Sequence, residues 1–150
     1  MKKIVPDMLN ELAELFVETF NAPPWNDMWT EEQARVRLRD IIRMPNFCGA
    51  AEYREGKLVA LIMGHGEMSF DGIHFQILEF CVANDMKGQG IGGEMLNEFM
   101  EYLERKGVTS VYLLTMRGKA SEDFYAAHGF ETVKDMCIMS KHKLKATSQE

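Results

Sequence analysis

The chain has 150 residues, of which 46% are hydrophobic and 27% are charged. These proportions are typical of one globular domain that buries its own core without a structural metal or disulfides. The 17 basic and 23 acidic residues give a net charge of −6, which disfavours non-specific nucleic-acid binding because phosphates would be repelled. We therefore expect a single domain over residues 1–150 with no nucleic-acid partner.

Cysteine usage and hydropathy indicate the compartment. The three cysteines, Cys48, Cys81 and Cys137, lie singly in apolar stretches without a CxxC pair, which favours reduced thiols and a cytoplasmic location. Asp7 and Glu11 interrupt the first apolar segment, and no apolar run reaches membrane-spanning length, so neither a signal peptide nor a membrane partner is expected. No group of potential ligands has zinc spacing, so no metal is expected.

The first part of the chain predicts two helices. From Met8 to Phe20 apolar residues recur at helical spacing, with glutamates largely on the other side. Thr30 and Gln33 have the spacing of a capping box, which predicts the start of a second helix that ends before Pro45.

The middle of the chain predicts strands followed by another helix. Short turns at Glu55-Gly56 and Asp71-Gly72 separate apolar-rich segments, which is typical of antiparallel strands. Apolar residues then recur every three or four positions from Ile91, and Gly107 stands where a helix cap belongs. The strands predicted in this region span 49–54, 57–66 and 74–82.

The last third predicts a strand, a short helix stopped by Gly129 and two further strands before a polar tail. The alternation of hairpins with single helices predicts an α/β fold with a mixed, largely antiparallel sheet and helices on both faces. The elements predicted here are the strand 110–115, the helix 120–128, the strands 130–134 and 136–142, and the tail 143–150.

A glycine-rich segment lies between the strand that ends at Val82 and the helix that begins at Ile91. Four glycines within six positions allow the backbone to turn with several N–H groups pointing the same way. The first turn of the helix adds unsatisfied donors and the positive end of the helix dipole. The segment therefore predicts a cradle for an anionic group such as a pyrophosphate.

One alternative is the dinucleotide fingerprint of Rossmann folds, which Gly88-x-Gly90-x-x-Gly93 also matches. A Rossmann turn starts directly at the strand end and requires an acidic residue at the tip of the second strand. Here the residues 83–87 separate the strand from the first glycine, and the second strand, at 111–115, ends without a carboxylate. A nicotinamide-dependent oxidoreductase is therefore disfavoured.

The segment Lys87-Gly-Gln-Gly90-Ile-Gly92 instead resembles the Gln/Arg-x-x-Gly-x-Gly/Ala loop of the GCN5-related N-acetyltransferases (GNAT family), which holds acetyl-CoA. A second segment, Phe124-Tyr125-Ala-Ala-His-Gly129-Phe130, is similar to the family's Phe-Tyr-x-x-x-Gly-Phe motif. The resemblance covers about Gly49 to Lys141. The chain departs from the family pattern at Lys87 and at Gly118, where many relatives carry an asparagine.

The resemblance implies a GNAT-like sheet with a splay between the strand ending at Val82 and the strand at 110–115. It also implies acetyl-CoA as cosubstrate, with its arm and thioester carbonyl on the strand backbone and its pyrophosphate in the loop. The cofactor-binding residues implied are Phe80, Cys81 and Val82 on the strand, and Lys87, Gly88, Gln89, Gly90, Ile91, Gly92 and Gly93 in the loop.

Two residues are candidates for proton transfer. The resemblance makes Tyr125 the acid, which suits a phenol because its reference pKa near 10 keeps it protonated; the alternative is a packed aromatic. Glu79 lies within an apolar run, where partial burial would raise its pKa and suit a base. The alternative for Glu79 is a structural ion pair. Gln76 and His74 lie on the opposite face of a regular strand, and a bulge would let one of them replace Glu79.

Trp25 and Trp29, between the first two helices, are candidate substrate-binding residues. Together with Asp27, Glu31 and Glu32 they are suited to hold an amine through cation–π and carboxylate contacts. The alternative is that Trp25 staples the two helices and that the glutamates stabilise a helix N-terminus.

We therefore expect an acetyl-CoA-dependent N-acetyltransferase that acts by direct transfer to a primary amine of a small cationic molecule. No cysteine lies in a context that suggests an acyl-enzyme nucleophile. The alternative is a non-catalytic acyl-CoA-binding or interaction module on the same fold. The final strands and the helix pair offer a surface for a homodimer.

Overall fold

The computed structural model describes residues 1–142 and 144. The chain forms two compact units, Met1–Thr115 and Met116–Glu150. The predicted tail, 143–150, lies outside the described residues except for Leu144.

The first unit contains a five-stranded sheet and three α-helices. Its helices are α1 (Leu9–Phe20), α2 (Glu31–Ile42) and α3 (Ile91–Arg105). Its strands are β1 (Lys2–Lys3), β2 (Phe47–Arg54), β3 (Lys57–Ser69), β4 (Gly72–Val82) and β5 (Val108–Leu113). Short 3₁₀ turns, Pro6–Met8 and Asn84–Met86, precede α1 and α3, and the second unit contains α4 (Ala120–Ala127).

The sheet is mixed and largely antiparallel. Its order is β1-β2-β3-β4-β5, and β4–β5 is the parallel pair among four neighbouring pairs. The ring of Phe75 on β4 packs at 5.7 Å from that of Phe99 on α3. Glu79 on the same strand instead contacts Arg37 of α2. Because their partners on β3 are an odd number of residues apart, the two side chains lie on opposite faces. The predicted fold class, with helices on both faces, is confirmed.

The predicted helical faces of α1 and α3 form much of the core. Apolar residues of α3 at the predicted spacing are buried, and the centre of β3 is buried on both faces because helices cover both sides of the sheet. The buried residues of α3 are Ile91, Met95, Leu96, Phe99 and Leu103.

The capping box predicted at Thr30 is present. The Thr30 hydroxyl accepts from the Gln33 N–H at 3.1 Å, and the Gln33 side chain accepts from the Thr30 N–H at 3.1 Å. Two backbone donors of the first turn are thereby satisfied, which fixes the start of α2. This start sets which side chains of α2 face the sheet.

Strand β4 contains a β-bulge opposite the centre of β3. Met63 of β3 pairs with Glu79, whereas the next residue, Gly64, pairs with Ile77, so Leu78 is the extra residue. Opposite the bulge, a Cβ built on Gly64 would lie 1.9 Å from the carbonyl oxygen of Gln76. The close approach of the two strands therefore requires glycine at position 64.

The structure differs from the sequence predictions near both ends of the described chain. The segments 130–134 and 136–142 do not form strands; the structure places a turn at 134–135, and residues 131–142 are exposed. An isolated hairpin gains too little from its own pairing to specify strands. The sequence analysis also missed β1, which consists of Lys2 and Lys3 and pairs with Ala50 and Ala51 at the edge of the sheet.

The bulge generates a prediction for stability. We expect Gly64→Ala to lower the free energy of unfolding by about 3 kcal/mol or to prevent folding, because backbone atoms must move to relieve the overlap. The matched control is Gly66→Ala, whose added methyl group would meet the side chain of Ile73 at 3.1 Å and cost less. Urea unfolding followed by circular dichroism measures both; equal stability of the two variants would contradict the argument.

Candidate active site

The glycine-rich segment folds as a tight passage from the Asn84–Met86 turn into α3. Gly88 and Gly90 have φ angles of 80° and 81°, a left-handed conformation that favours glycine. Gly90 occupies the N-cap position, so the first N–H groups of α3, from Ile91 onward, have no partner within the helix. The residues Lys87 to Gly90 are exposed. Exposed donors at a helix N-terminus are the arrangement that an anionic group requires.

The end of β4 leads directly into this segment. Pairs between β4 and β5 run from Ile73 with Val108 to Ile77 with Leu113, and β4 continues past the last of these pairs to Val82. The bulge at Leu78 lies where this pairing ends. Divergence of two neighbouring strands after a bulge is physically expected, because a bulge bends and twists its strand.

Cys81 lies on this final stretch of β4 and is buried. Burial raises the pKa of the Cys81 thiol to about 12, so the group stays protonated at neutral pH. A thiol in this state is a poor nucleophile. Among the described residues all three cysteines are free, Cys48 being half-buried and Cys137 exposed.

Glu79 is one of the two buried polar residues described in the core. The Arg37 Nε–H donates to the Glu79 carboxylate; the Glu79 side chain is 9% exposed and that of Arg37 is 42% exposed. Burial raises the pKa of the Glu79 carboxyl, the neighbouring Arg37 lowers it, and the Asp27 carboxylate raises it again. The net direction is upward, which is the direction that a general base requires near neutral pH.

The bulge brings a second polar side chain to the face of Glu79. Gln76 pairs with His65 and Glu79 with Met63, and these two partners are separated by an even number, so both β4 side chains lie on one face. The Tyr112 hydroxyl on β5 donates to the Gln76 side-chain oxygen at 3.3 Å. Burial and the carboxylate of Glu67 raise the pKa of Tyr112. The phenol is therefore protonated at neutral pH.

Trp25 and Trp29 occupy different positions in the segment between α1 and α2. The Trp25 ring packs on Phe20 at 5.9 Å, which favours the structural alternative for this residue. The Trp29 ring packs edge-on against Phe16 at 4.9 Å, and its Nε1–H donates to Asp27 at 3.1 Å. Trp29 also lines a cavity of about 580 Å³ beside α2, which Arg37 lines as well.

The two glutamates at the start of α2 are engaged elsewhere. Glu31 and Glu32 form ion pairs with Arg35 at 3.5 and 2.8 Å. Their position at the first turn of a helix is also electrostatically favourable. Stabilisation of the helix N-terminus and the ion pairs with Arg35 therefore account for Glu31 and Glu32. Asp27, in contrast, lies close enough to Glu79 to raise the pKa of its carboxyl.

Tyr125 belongs to the second unit, on α4. Its ring packs on Phe130 at 5.4 Å, and the Phe130 N–H donates to the Tyr125 carbonyl at 3.0 Å. Gly129, with a φ of 87°, makes this return of the chain possible. The Phe-Tyr-x-x-x-Gly-Phe segment thus forms a compact aromatic turn. His128, in the same turn, has its Nδ1 at 2.7 Å from the Phe124 carbonyl.

Two further observations concern the described part of the chain. Within residues 1–142 and 144 no group of three or more His, Cys, Asp or Glu side chains is arranged to hold a metal ion. None of the helices in these ranges has the length and apolar character needed to cross a membrane.

Sequence reasoning identified Glu79 and the loop but missed Arg37 and Tyr112. Arg37 lies on a helix of mixed charge, and only the docking of α2 on β4 distinguishes it from its neighbours Arg35 and Arg39. Tyr112 is separated by 36 positions from Gln76, its partner across the parallel pair. No local pattern marks either residue.

Comparisons with solved structures identify proteins of similar fold. A possible acetyltransferase from Clostridium difficile 630 superposes with a TM-score of 0.75 and 13% identity, covering 97% of this chain and 95% of that chain. An aminoglycoside acetyltransferase from an uncultured soil metagenomic sample, in complex with sisomicin, has a TM-score of 0.71 and 17% identity, covering 96% and 95%. AAC(6')-Iy with a CoA bisubstrate analog has a TM-score of 0.73 and 11% identity, covering 95% and 97%.

At these identities the structural likeness establishes the fold alone. A search of curated proteins by sequence finds no match. The sequence model of the acetyltransferase (GNAT) family, however, matches residues 9–130, which include β4, the glycine-rich segment and the aromatic turn of α4. This chain therefore belongs to the acetyltransferase (GNAT) family.

Proposed function

We propose that this protein is an acetyl-CoA-dependent N-acetyltransferase that transfers the acetyl group directly to the primary amine of a small cationic acceptor. The observation that carries the proposal is the continuity of β4. This strand holds the buried carboxylate of Glu79 and then runs into the glycine-rich segment at the N-terminus of α3. The proposed base and the proposed anion cradle therefore lie in one continuous segment, from β4 to the start of α3.

The residues present fit acetyl-CoA, which would supply the acetyl thioester. The N–H groups of Gly88 to Gly93 would bind the pyrophosphate, with the exposed Lys87 and Gln89 beside it. The backbone of Phe80, Cys81 and Val82 would hold the pantetheine arm and polarise the thioester carbonyl. The CoA bisubstrate analog bound by AAC(6')-Iy, a neighbour in fold, supports this assignment.

The chemistry requires three proton transfers. The acceptor ammonium loses a proton to Glu79 through a water molecule, and the amine nitrogen then attacks the thioester carbonyl carbon. As the C–N bond forms and the C–S bond breaks, Tyr125 gives a proton to the leaving thiolate, and the excess proton that the acylated nitrogen must lose restores the Tyr125 phenol. The buried Cys81 stays a thiol with a pKa of about 12, which supports direct transfer without an acyl-enzyme.

The local charge favours a cationic acceptor. Asp27 and Glu79 carry two negative charges against the single positive charge of Arg37, so one added ammonium neutralises the group. Trp29, which is held by its hydrogen bond to Asp27, offers an aromatic face to a cation. Trp25 lies four positions earlier in the same segment. The sisomicin complex of one fold neighbour supports an aminoglycoside-like or polyamine acceptor.

The direct test offers the protein acetyl-CoA together with sisomicin, spermidine and a peptide with an N-terminal alanine. The peptide represents the substrate of another fold neighbour, a ribosomal-protein-alanine N-acetyltransferase from Brucella melitensis. Mass spectrometry detects the acetylated product. We expect acetylation of a small cationic amine. Acetyl-CoA binding with no acetylated amine in a wider panel would favour the non-catalytic acyl-CoA-binding module.

The two proton-transfer residues have separate signatures. We expect Tyr125→Phe and Glu79→Gln each to lower kcat by about 10²-fold or more with little change in acetyl-CoA affinity, because general acid–base groups typically contribute that much. In the unaltered protein kcat should fall as the pH drops through the raised pKa of Glu79, since only the carboxylate accepts a proton. Tyr102→Phe is the matched control for Tyr125, because the Tyr102 ring stacks on Phe99 of α3 and has no role in the proposed chemistry. Unchanged turnover in Tyr125→Phe would contradict the acid role.

The loop has its own test. We expect Gly90→Ala to weaken acetyl-CoA binding at least tenfold, because alanine disfavours the left-handed N-cap conformation by roughly 1 kcal/mol and its methyl group lies at the cradle. Gly56→Ala is the matched control, since Gly56 has a φ of 76° and equally open surroundings in the β2–β3 turn. Calorimetric titration measures affinity in both. Equal affinities of the two variants for acetyl-CoA would contradict the assignment of the loop to the binding site.

Three expectations from the sequence stay predictions. These are a single acetyltransferase domain over the whole chain, a cytoplasmic location and a homodimer. Gel filtration with light scattering tests the last of them.

A further inference from the structure

We propose that Arg37 is a positioning residue for Glu79, and that it both orients the carboxylate toward the acceptor and keeps it ionised during transfer. The inference rests on the proposed function of Glu79 as the base. It goes beyond that function because it assigns a role to Arg37, a side chain on α2. Neither the sequence motifs nor β4 indicates this residue.

The geometry of the pair carries the argument. Arg37 contacts Oε1 of Glu79 through Nε. Arg37 also lines the cavity of about 580 Å³ beside α2. The Glu79 side chain is 9% exposed and the Arg37 side chain 42% exposed, so the arginine reaches from the cavity side to a buried partner.

The groups around Glu79 explain why a cation is needed there. From α2 comes Arg37, and from the segment before α2 comes the carboxylate of Asp27. Glu79's own strand presents the buried Cys81 thiol, which interacts with Thr19 of α1, and β3 presents Met63 directly opposite. Without Arg37 the carboxylate would face apolar surroundings, a neutral thiol and a second negative charge.

His65 and Glu67 also lie along this face of β3, and they pair with each other. Nε2 of His65 lies 3.4 Å from the Glu67 carboxylate. The ion pair of Arg37 is therefore the favourable charge interaction identified for Glu79 among the described residues. A buried carboxylate that loses its cation takes up a proton more readily, and a protonated Glu79 accepts no proton from the acceptor.

The test measures the titration of Glu79 directly, without any acetyl acceptor. Carboxyl carbons of ¹³C-labelled glutamate are followed by NMR as a function of pH, and Glu79→Gln identifies the signal that disappears. We expect Arg37→Gln to raise the Glu79 pKa by about one unit or more, the usual effect of removing an adjacent opposite charge. Arg37→Lys should restore most of the unaltered value because it keeps the charge.

Arg35→Gln is the matched control. It makes the same change two positions earlier on α2, where the arginine pairs with Glu31 and Glu32 instead. It should leave the Glu79 titration unchanged. A Glu79 pKa that is the same in Arg37→Gln, Arg35→Gln and the unaltered protein would overturn the proposal.

A second readout connects the pair to transfer. With an amine that the unaltered protein acetylates, the acidic limb of the kcat profile should move to higher pH in Arg37→Gln and return in Arg37→Lys, while the KM for acetyl-CoA stays constant. A uniform loss of kcat at all pH values would indicate a structural role only and would overturn the proposal. Failure of the unaltered protein to acetylate any amine would instead refute the proposed function, and the NMR titration would still decide the Arg37–Glu79 coupling.

Discussion

The bulge at Leu78, made possible by the close approach of Gly64 to the Gln76 carbonyl, is the constraint on which the site depends. It inserts one residue into β4 and so changes which side chains share a face. Glu79 and Gln76, which a regular strand would separate, both face the side covered by α2. The same bulge lies where pairing with β5 stops, so that β4 continues toward the glycine-rich segment paired with β3 but not with β5. The inserted residue therefore determines which face of β4 carries Glu79 in the segment that leads to the N-terminus of α3.

The burial of Glu79 has a cost that the rest of the first unit must offset. An ionised carboxylate moved out of water loses several kcal/mol of hydration, and a single ion pair seldom recovers all of it. An apolar residue at this position would be more stable, because the other residues from Ile77 to Val82 are hydrophobic. A buried carboxylate whose pKa is raised is typical of functional sites, and this property makes Glu79 a candidate for the proposed base.

Local signals in the sequence predicted local structure well. The Thr30 capping box, the α3 face from Ile91 and the turn allowed by the glycines before α3 depend on neighbours within a few positions, and the structure agrees with each of them. What could not be predicted depends on contacts between distant segments. Arg37 acquires its partner only when α2 docks on β4, and the bulge reflects packing between β3 and β4. The final strands were wrongly predicted because a local apolar segment does not by itself supply a pairing partner. Tyr125 was identified by its motif, and its role as the acid stays a prediction.

The central claim is that the segment at the N-terminus of α3 binds coenzyme A. The most direct measurement is calorimetric titration of the protein with acetyl-CoA, with CoA and with NAD under identical conditions. The account predicts saturable one-to-one binding of both CoA species and none of NAD. At 100 times its Kd each CoA species should also stabilise the fold by about 2.7 kcal/mol. Absence of binding by either CoA species, or equal binding of NAD, would contradict the assignment of the cradle.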